Sequence, residues 1–127
     1  MSAQPSPINL FRNSNDFKEF TAGTTIFKSG DPGDYMYVVK EGSVKLTLGE
    51  TVLERVEAGS LFGEMALIDS EKRSADAVAE TDCKLVPIDG KKFRFLVQQT
   101  PYFAQHVIRV LAQRLRNMNK HLVKPTA

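Results

Sequence analysis

The sequence predicts a mainly β domain, an all-β sandwich or barrel with helices at both ends. All eight glycines lie between residues 23 and 90, separated by short runs rich in valine, threonine, tyrosine and leucine. Turn signals recur about every seven to ten residues in this region, a spacing typical of sandwiches and barrels. After residue 90 the sequence has no glycine, and helix-forming residues dominate. The length of 127 residues fits a single domain, 1–127.

Residues 1–20 are expected to form an N-terminal helical segment. A polar start with two prolines is followed by apolar residues that can anchor one or two short helical turns: Ile8, Leu10, Phe11, Phe17 and Phe20.

Residues 21–89 are expected to form the β region, in which we predict six strands. These are Thr24–Lys28, Tyr35–Glu41, Val44–Leu48, Thr51–Glu57, Ala75–Thr81 and Cys83–Ile88. Within the third strand, Val44, Leu46 and Leu48 are expected to point inward, since alternate residues of a strand share a face. The sequences at 29–34 and 41–43 supply turns.

Residues 90–123 are predicted to form two C-terminal helices. The first covers Lys91–Gln99, and the second follows Thr100, an N-cap residue with Pro101 at the first helical position. The second helix is expected to run to about Leu122. Its apolar residues are spaced alternately by four and three positions, which predicts a heptad seam: Ala104, Ile108, Leu111, Leu115, Met118 and Leu122. The seam either packs on the barrel of its own chain or forms a homodimer, and the sequence leaves both open.

Composition argues against several functional classes. The single cysteine, Cys83, cannot form an internal disulfide and suits a reducing cytoplasm. The two histidines, His106 and His121, form no zinc pattern, so we expect no metal. Because no nucleophile and base are paired, an enzyme is not expected. The longest apolar run, Tyr35–Val39, is far shorter than the roughly 20 residues of a membrane helix, and the first twenty residues lack a secretory signal.

Charge is divided unevenly along the chain. Residues 1–89 carry 9 Lys and Arg against 15 Asp and Glu, whereas residues 90–127 carry 8 basic residues and no acidic one. A basic segment can attract nucleic acid, anionic lipid or an acidic protein. Because these basic side chains are spread along the whole segment, the simpler interpretation is that they are the solvated faces of terminal helices.

The segment between residues 59 and 75 interrupts the strand pattern and carries candidate chemistry. Gly63 allows a tight turn, and Glu64–Ile68 can form one helical turn whose free N–H groups suit an anion. Arg73 offers a charged fork that fits phosphate oxygens, and Ser74 adds a hydroxyl donor. Glu64 would repel a phosphate but suits a hydroxyl donor such as a ribose 2′-OH. The segment therefore suits a sugar phosphate, while an internal Glu64–Arg73 salt bridge explains the same residues.

Two stretches of the chain carry a more specific pattern. Phe-Gly-Glu-Met-Ala-Leu at 62–67 is followed by Arg-Ser-Ala at 73–75, and a Gly- and Tyr-containing stretch lies upstream at 30–44. They resemble the phosphate-binding cassette and the early strands of cyclic nucleotide-binding domains. This family includes the bacterial catabolite activator protein, regulatory subunits of cAMP-dependent protein kinase and cyclic-nucleotide-gated channels. The resemblance covers roughly residues 17–120.

The fold that this resemblance implies is an antiparallel β-roll, a jelly-roll-like barrel. Short N-terminal helices precede the roll, a short phosphate-binding helix lies in a cassette at 62–75, and two C-terminal helices follow.

The resemblance also implies ligand-binding residues. Glu64 matches the glutamate that accepts a hydrogen bond from the ribose 2′-hydroxyl, Arg73 matches the arginine that pairs with the cyclic phosphate, and Ser74 matches a residue that also touches the phosphate. The last helix closes over the base in this family, so Arg114 or Met118 could act as a lid. The remaining pocket positions, partly through backbone groups, are Gly63, Met65, Ala66 and Ala75.

The function implied is a receptor for a 3′,5′-cyclic mononucleotide, with cAMP favoured over cGMP, that signals through movement of its C-terminal helices. Lys72 replaces a proline common in the family, and Asp76 lies where other members carry a residue near the base, which leaves base preference open. A protein partner or a homodimer through the C-terminal helix is expected. Direct DNA binding is not expected, because only Val123–Ala127 follow the long helix. Contact with a membrane is not expected either.

Three alternatives belong beside this function. The chain could be the sensing part of a longer transcription regulator or channel, or a degenerate scaffold that binds no nucleotide. A metal-dependent enzyme of the cupin type is not expected, because the β region contains no histidine.

Overall fold

A computed structural model describes residues 16–122, with side chains to residue 120. This part of the chain contains eight strands and three helices, numbered here in chain order. The strands are β1 (Lys18–Phe20), β2 (Thr25–Phe27), β3 (Tyr35–Glu41), β4 (Ser43–Leu48), β5 (Thr51–Glu57), β6 (Leu61–Phe62), β7 (Asp76–Ala79) and β8 (Cys83–Asp89). The helices are α1 (Glu64–Asp69), α2 (Gly90–Gln99) and α3 (Pro101–Leu122).

The strands form two antiparallel four-stranded sheets, ordered β1-β8-β3-β6 and β2-β7-β4-β5. Strand β3 is covered on both faces, because successive side chains of a strand point to opposite sides. Met36 and Val38 pack against α2 and α3, whereas Tyr37 and Val39 pack between the two sheets. The mainly β fold with flanking helices that the sequence predicts is therefore confirmed.

All six strands predicted from the sequence are confirmed, with ends that differ by at most two residues. The expected N-terminal helical segment is wrong for residues 18–20, which form β1 and pair with residues 83–85 of β8. Pairing along the edge of an existing sheet satisfies backbone groups that a short helical turn would leave open, so tertiary context overrides local preference here. Residues 1–15 of that segment lie outside the described residues.

The hairpin of β4 and β5 continues beyond the rest of its sheet. β7 pairs with β4 only as far as Thr47, and the β4–β5 register shifts between Leu46 and Thr47. The expected inward face of β4 is confirmed at Val44, which is fully buried, and is wrong at Leu48, which is 53% exposed. A bulge interrupts the alternation of faces, and no sheet in the described part of the chain covers the end of the hairpin.

The two predicted C-terminal helices are confirmed. The carboxylate of Asp89 caps α2 by accepting a hydrogen bond from the N–H of Lys92 at 2.8 Å, and α3 begins at Pro101 as predicted. Phe103 and Val107 bury the N-terminal half of α3 against the sheet that contains β3. Within residues 16–122, no helix is both long enough and apolar enough to cross a membrane.

Three residues of the predicted apolar seam of α3 are exposed. Ile108, Leu115 and Met118 are 65%, 59% and 58% exposed, whereas Ala104 and Leu111 are partly buried. The interpretation that the seam packs on its own barrel is therefore wrong for the three exposed residues, because α3 uses a neighbouring face for that contact. The side chain of Leu122, the last seam residue, lies outside the described residues.

Candidate functional site

The segment predicted as a cassette begins with a turn that favours glycine. Gly63 precedes α1 with φ 81° and ψ 5°, in the left-handed region. A Cβ added here would lie 2.7 Å from Nη1 of Arg73. In the β2–β3 loop, a Cβ added to Gly33 would lie 2.1 Å from the Cβ of Ala66. The two glycines therefore allow α1, Arg73 and this loop to pack together.

The main chain of Arg73 is fixed between α1 and β7. Its N–H donates to the carbonyl oxygen of Asp31 at 2.8 Å, and its carbonyl oxygen accepts from the N–H of Gly30 at 2.8 Å. An isolated bridge joins the adjacent Lys72 to Pro32. Because the β2–β3 loop holds the backbone from both sides, the direction in which the Arg73 side chain leaves the loop is set before any ligand arrives.

The guanidinium of Arg73 lies inside the site, with only 6% of the residue exposed. Nη1 donates to the carbonyl oxygen of Gly63 at 2.8 Å, and Nη2 donates to that of Tyr35. The guanidinium also lies over the ring of Phe27, 4.0 Å from its centroid. Its buried Nε has no hydrogen-bond partner among the described residues. A buried donor without an acceptor is costly, especially on a charged group, so this position favours an anionic ligand.

Glu64, the first residue of α1, is 2% exposed and pairs with Arg114 of α3. Nη1 of Arg114 donates to Oε1 of Glu64 at 2.5 Å, its Nε donates to Oε1 of Glu54 at 2.7 Å, and its Nη2 donates to the carbonyl oxygen of Leu61 at 2.6 Å. The internal Glu64–Arg73 salt bridge that the sequence left open is therefore wrong, because each residue takes other partners.

The site combines two cations, Arg73 and Arg114, with two carboxylates, Glu54 and Glu64. Burial lowers the pKa of the Arg73 guanidinium, and acidic groups nearby, first Tyr37, oppose that effect. Burial also acts to lower the pKa of Arg114, but the hydrogen bonds and charges of Glu54 and Glu64 outweigh it and raise this pKa above its ordinary value. Arginine remains charged in either case. The four groups together are neutral, and within the described residues Nε of Arg73, at their positive end, has no hydrogen-bond acceptor.

The other residues predicted for the cassette lie at different depths. Ala66 is buried, whereas Met65, one residue earlier on α1, is 57% exposed. Ser74 is exposed next to Arg73, and Ala75 is partly buried. The structure therefore gathers the predicted phosphate and ribose residues on one short stretch, with small residues beside them.

The two predicted lid residues differ. The structure brings Arg114 to Glu64, whereas Met118, one turn further along α3, is 58% exposed. Asp76, whose effect on base preference the sequence left open, accepts a hydrogen bond from the N–H of Ser29 at 2.7 Å through Oδ1. The Asp76 carboxylate therefore holds the loop before β3.

The sequence profile of the cyclic nucleotide-binding domain matches residues 17–100. The chain belongs to the cyclic nucleotide-binding domain family. Among its curated relatives is the CRP-like cAMP-activated global transcriptional regulator of Mycobacterium tuberculosis. The two are 30% identical over 124 residues, which cover 94% of this chain and 55% of the relative. The chain thus spans about half the length of such curated relatives.

Solved structures of the family have the same fold. The crystal structure of Thermus thermophilus catabolite activator protein superposes with a TM-score of 0.73 at 35% identity, covering 84% of this chain and 52% of the other. A second similar structure belongs to work on a cyclic-GMP-dependent signalling pathway that regulates bacterial phytopathogenesis. It has a TM-score of 0.71 at 29% identity, covering 91% of this chain and 98% of the other. The resemblance to cyclic nucleotide-binding domains that the sequence showed is confirmed.

Sequence reasoning missed several groups that hold the segment at residues 62–75 together. The carbonyl oxygen of Tyr35 and the ring of Phe27 position Arg73, and no sequence pattern marks either group. Glu54 does carry a signal, because it shares a strand face with Val56, which is fully buried. A carboxylate on an apolar face predicts a charged partner, which the structure shows to be Arg114.

Proposed function

We propose that this chain is a regulatory receptor for a 3′,5′-cyclic mononucleotide, with cAMP favoured over cGMP, and that it signals through its C-terminal helices. The observation that carries the proposal is the buried guanidinium of Arg73, whose Nε has no acceptor among the described residues. A cyclic phosphate would supply that acceptor in a charge-assisted hydrogen bond. Membership of the family supports the class of ligand.

In this proposal Glu64 binds the ribose. Arg114 is bonded to Oε1 of Glu64, so Oε2 can accept a hydrogen bond from a 2′-hydroxyl. The buried position of Glu64 strengthens such a bond, because little water competes for the carboxylate. The rest of the proposed pocket, partly through backbone groups, consists of Gly63, Met65, Ala66, Ser74 and Ala75.

The preference for cAMP rests on relatives rather than on a base contact. The mycobacterial relative is named as cAMP-activated, and a structure of similar fold comes from work on a cyclic-GMP-dependent signalling pathway. Both nucleotides therefore belong in the same titration.

The decisive experiment is calorimetric titration of cAMP and cGMP into protein stripped of co-purified nucleotide. A cyclic mononucleotide has about 22 heavy atoms, and about 0.3–0.4 kcal/mol per atom gives binding of about −7 to −9 kcal/mol, near micromolar Kd. Arg73→Ala should weaken binding at least about tenfold, because a charge-assisted hydrogen bond contributes about 1.5–3 kcal/mol. Arg55→Ala is the matched control, since it removes the same charge from a side chain that is 56% exposed.

Two outcomes would contradict the proposal. A folded Arg73→Ala protein that binds as the wild type does would remove the phosphate role of Arg73. A folded wild-type chain that gives no heat with either nucleotide up to millimolar concentration would be a degenerate scaffold.

Signalling is proposed to follow from the contact between Glu64 and Arg114. A nucleotide that binds Glu64 changes the surroundings of the guanidinium that attaches α3, and so shifts the population of docked and released helix. Hydrogen exchange across residues 91–122 is expected to change when nucleotide is added. Identical protection with and without bound nucleotide would disprove the coupling.

A second candidate is that the chain is the sensing part of a longer transcription regulator or channel. The observation that favours it is the length of the curated relatives, of which the chain covers 55% in the mycobacterial regulator. The ligand would be the same in either case. Immunodetection of the natural protein distinguishes them, because a longer regulator would migrate well above a product of 127 residues.

A further inference from the structure

Arg114 is the last residue through which the described part of α3 is attached to the β sheets. Phe103 and Val107 are buried near the start of the helix, and Arg114 has 16% of its side chain exposed. All described side chains after it, at residues 115–120, are exposed. The position of the C-terminal half of α3 therefore depends on what holds the Arg114 guanidinium.

Three elements hold that guanidinium, and only one of them belongs to the proposed ribose site. Glu64 of α1 is in that site, and Leu61 of β6 offers only its carbonyl oxygen. Glu54 of β5 contributes a second carboxylate, 2.7 Å from Nε, with 28% of its side chain exposed. Because the guanidinium is planar, fixing Nε with Glu54 also fixes the direction in which Nη1 meets Glu64.

We propose that Glu54 is a positioning residue for the nucleotide site: it holds Arg114 in place, and Arg114 aligns the Glu64 carboxylate for the ribose 2′-hydroxyl. This inference rests on the proposed function and adds a residue that acts through Arg114. Glu54 thus preorganises the site, so that fewer side chains have to become ordered when the nucleotide binds.

Charge alone predicts the opposite effect of removing Glu54. Without this carboxylate the three remaining charged groups of the site would carry a net positive charge, which attracts an anionic nucleotide more strongly. A loss of affinity for the ribose form that exceeds the loss for its 2′-deoxy analogue in Glu54→Ala therefore reports lost positioning. Glu50→Ala is the matched control, because it removes the same charge from an exposed residue in the β4–β5 turn.

The first test needs no nucleotide. Hydrogen exchange at residues 111–120 should be at least about threefold faster in Glu54→Ala than in the wild type, because local opening of a helix follows the contacts that hold it. Exchange in α2 should not change, which excludes a general loss of stability. Glu50→Ala should resemble the wild type, and Glu54→Asp, which keeps the carboxylate, should restore part of the protection. Unchanged exchange in Glu54→Ala would overturn the proposal.

The second test measures affinities for cAMP and for its 2′-deoxy analogue. Glu54→Ala should reduce the preference for the ribose form by about threefold or more, because the hydrogen bond to Glu64 depends on alignment. In an Arg114→Ala background, Glu54→Ala should cause no further loss of the preference for the ribose form, since Glu54 acts through Arg114.

The outcomes separate this inference from the function on which it rests. Wild-type protein that binds no cyclic nucleotide would refute the proposed function and the ribose alignment, while the exchange test would still report whether Glu54 anchors α3. Nucleotide binding with equal losses for both analogues in Glu54→Ala would refute the positioning role and leave the receptor function intact.

Discussion

One oxygen of the Glu64 carboxylate, Oε1, accepts a hydrogen bond from Arg114, and the other, Oε2, can accept a further hydrogen bond. Arg114 bonds to Oε1, and the residue is 2% exposed. Glu64→Ala should therefore abolish the preference for cAMP over 2′-deoxy-cAMP, expected at about tenfold for a charge-assisted hydrogen bond. Affinity for the deoxy analogue should change much less, because Arg73 still binds the phosphate. Competition binding of both analogues measures the two values.

Glu71→Ala provides the control for that experiment. Glu71 is an exposed carboxylate just beyond α1, so its removal should leave the preference for ribose unchanged. A Glu64→Ala protein that still discriminates against the deoxy analogue would show that another residue recognises the ribose.

The residues of the candidate site could be predicted from the sequence where side-chain chemistry marks them. Gly63, Glu64 and Arg73 are distinctive in type and spacing, and the structure brings them together. Their neighbours could not be predicted in the same way. Tyr35 contributes a backbone oxygen and Phe27 an aromatic face, and any residue with a suitable backbone or ring could do so.

A second polar side chain, that of the titratable residue His106, attaches α3 near its N-terminal end. Nε2 of His106 donates to the carbonyl oxygen of Gly59 at 3.0 Å. Burial lowers the pKa of His106 below its ordinary value of 6.5, the hydrogen bond to Gly59 opposes this, and the charge of Arg109 adds to the lowering. As the pH falls toward and below 6.5, His106 takes up a proton in the unfolded chain before it does so in the folded chain. The free energy of unfolding therefore decreases as the pH falls below about 6.5. Above that pH the contribution of His106 to stability is fully present.

His106→Gln should reduce that pH dependence while keeping a hydrogen-bond donor. Between pH 7.5 and pH 5.5, the wild type should lose more stability in denaturant unfolding than the variant does, because only the wild type gains a proton on unfolding. Equal losses in the two proteins would show that His106 does not contribute to this dependence.

At the scale of elements, strands that carry their own turn signals could be predicted, and short strands made by pairing could not. β3 and β5 have the predicted bounds, since their apolar runs lie between turn residues. β1 and β6 have three and two residues, too few to show a periodicity. Their formation depends on β8 and β3, which offer backbone groups at the right place. Local sequence does not contain that information.

For the whole molecule, the sequence predicted the class of fold but not how the two sheets and the helices pack against one another. The order of the strands in the two sheets and the two-faced role of β3 emerge only when both hydrophobic clusters are packed. The heptad spacing of α3 was clear, yet it did not show which face would contact the sheets. That face is set by Phe103 and Val107, which leaves the seam exposed.

The exposed seam predicts self-association of the whole chain. Ile108, Leu115 and Met118 are each more than half exposed and follow the spacing of a two-helix seam. On the same protomer the β4–β5 hairpin exposes Leu53, at 55%. Isolated apolar residues are ordinary on a monomer, but a stripe repeated along a helix is typical of an interface. We therefore expect a homodimer through α3, with an affinity limited by the shortness of the seam.

Leu115→Lys should shift that dimer toward monomer, because the substitution places a charge at the centre of the seam, where it would be desolvated on association. Gln113→Lys adds the same charge two residues away, nearly on the opposite side of the helix, and should leave the association unchanged. Sedimentation equilibrium over a range of protein concentrations measures both variants against the wild type. A wild-type chain that remains monomeric at every concentration, or a Leu115→Lys protein that associates as the wild type does, would show that the seam does not form this dimer.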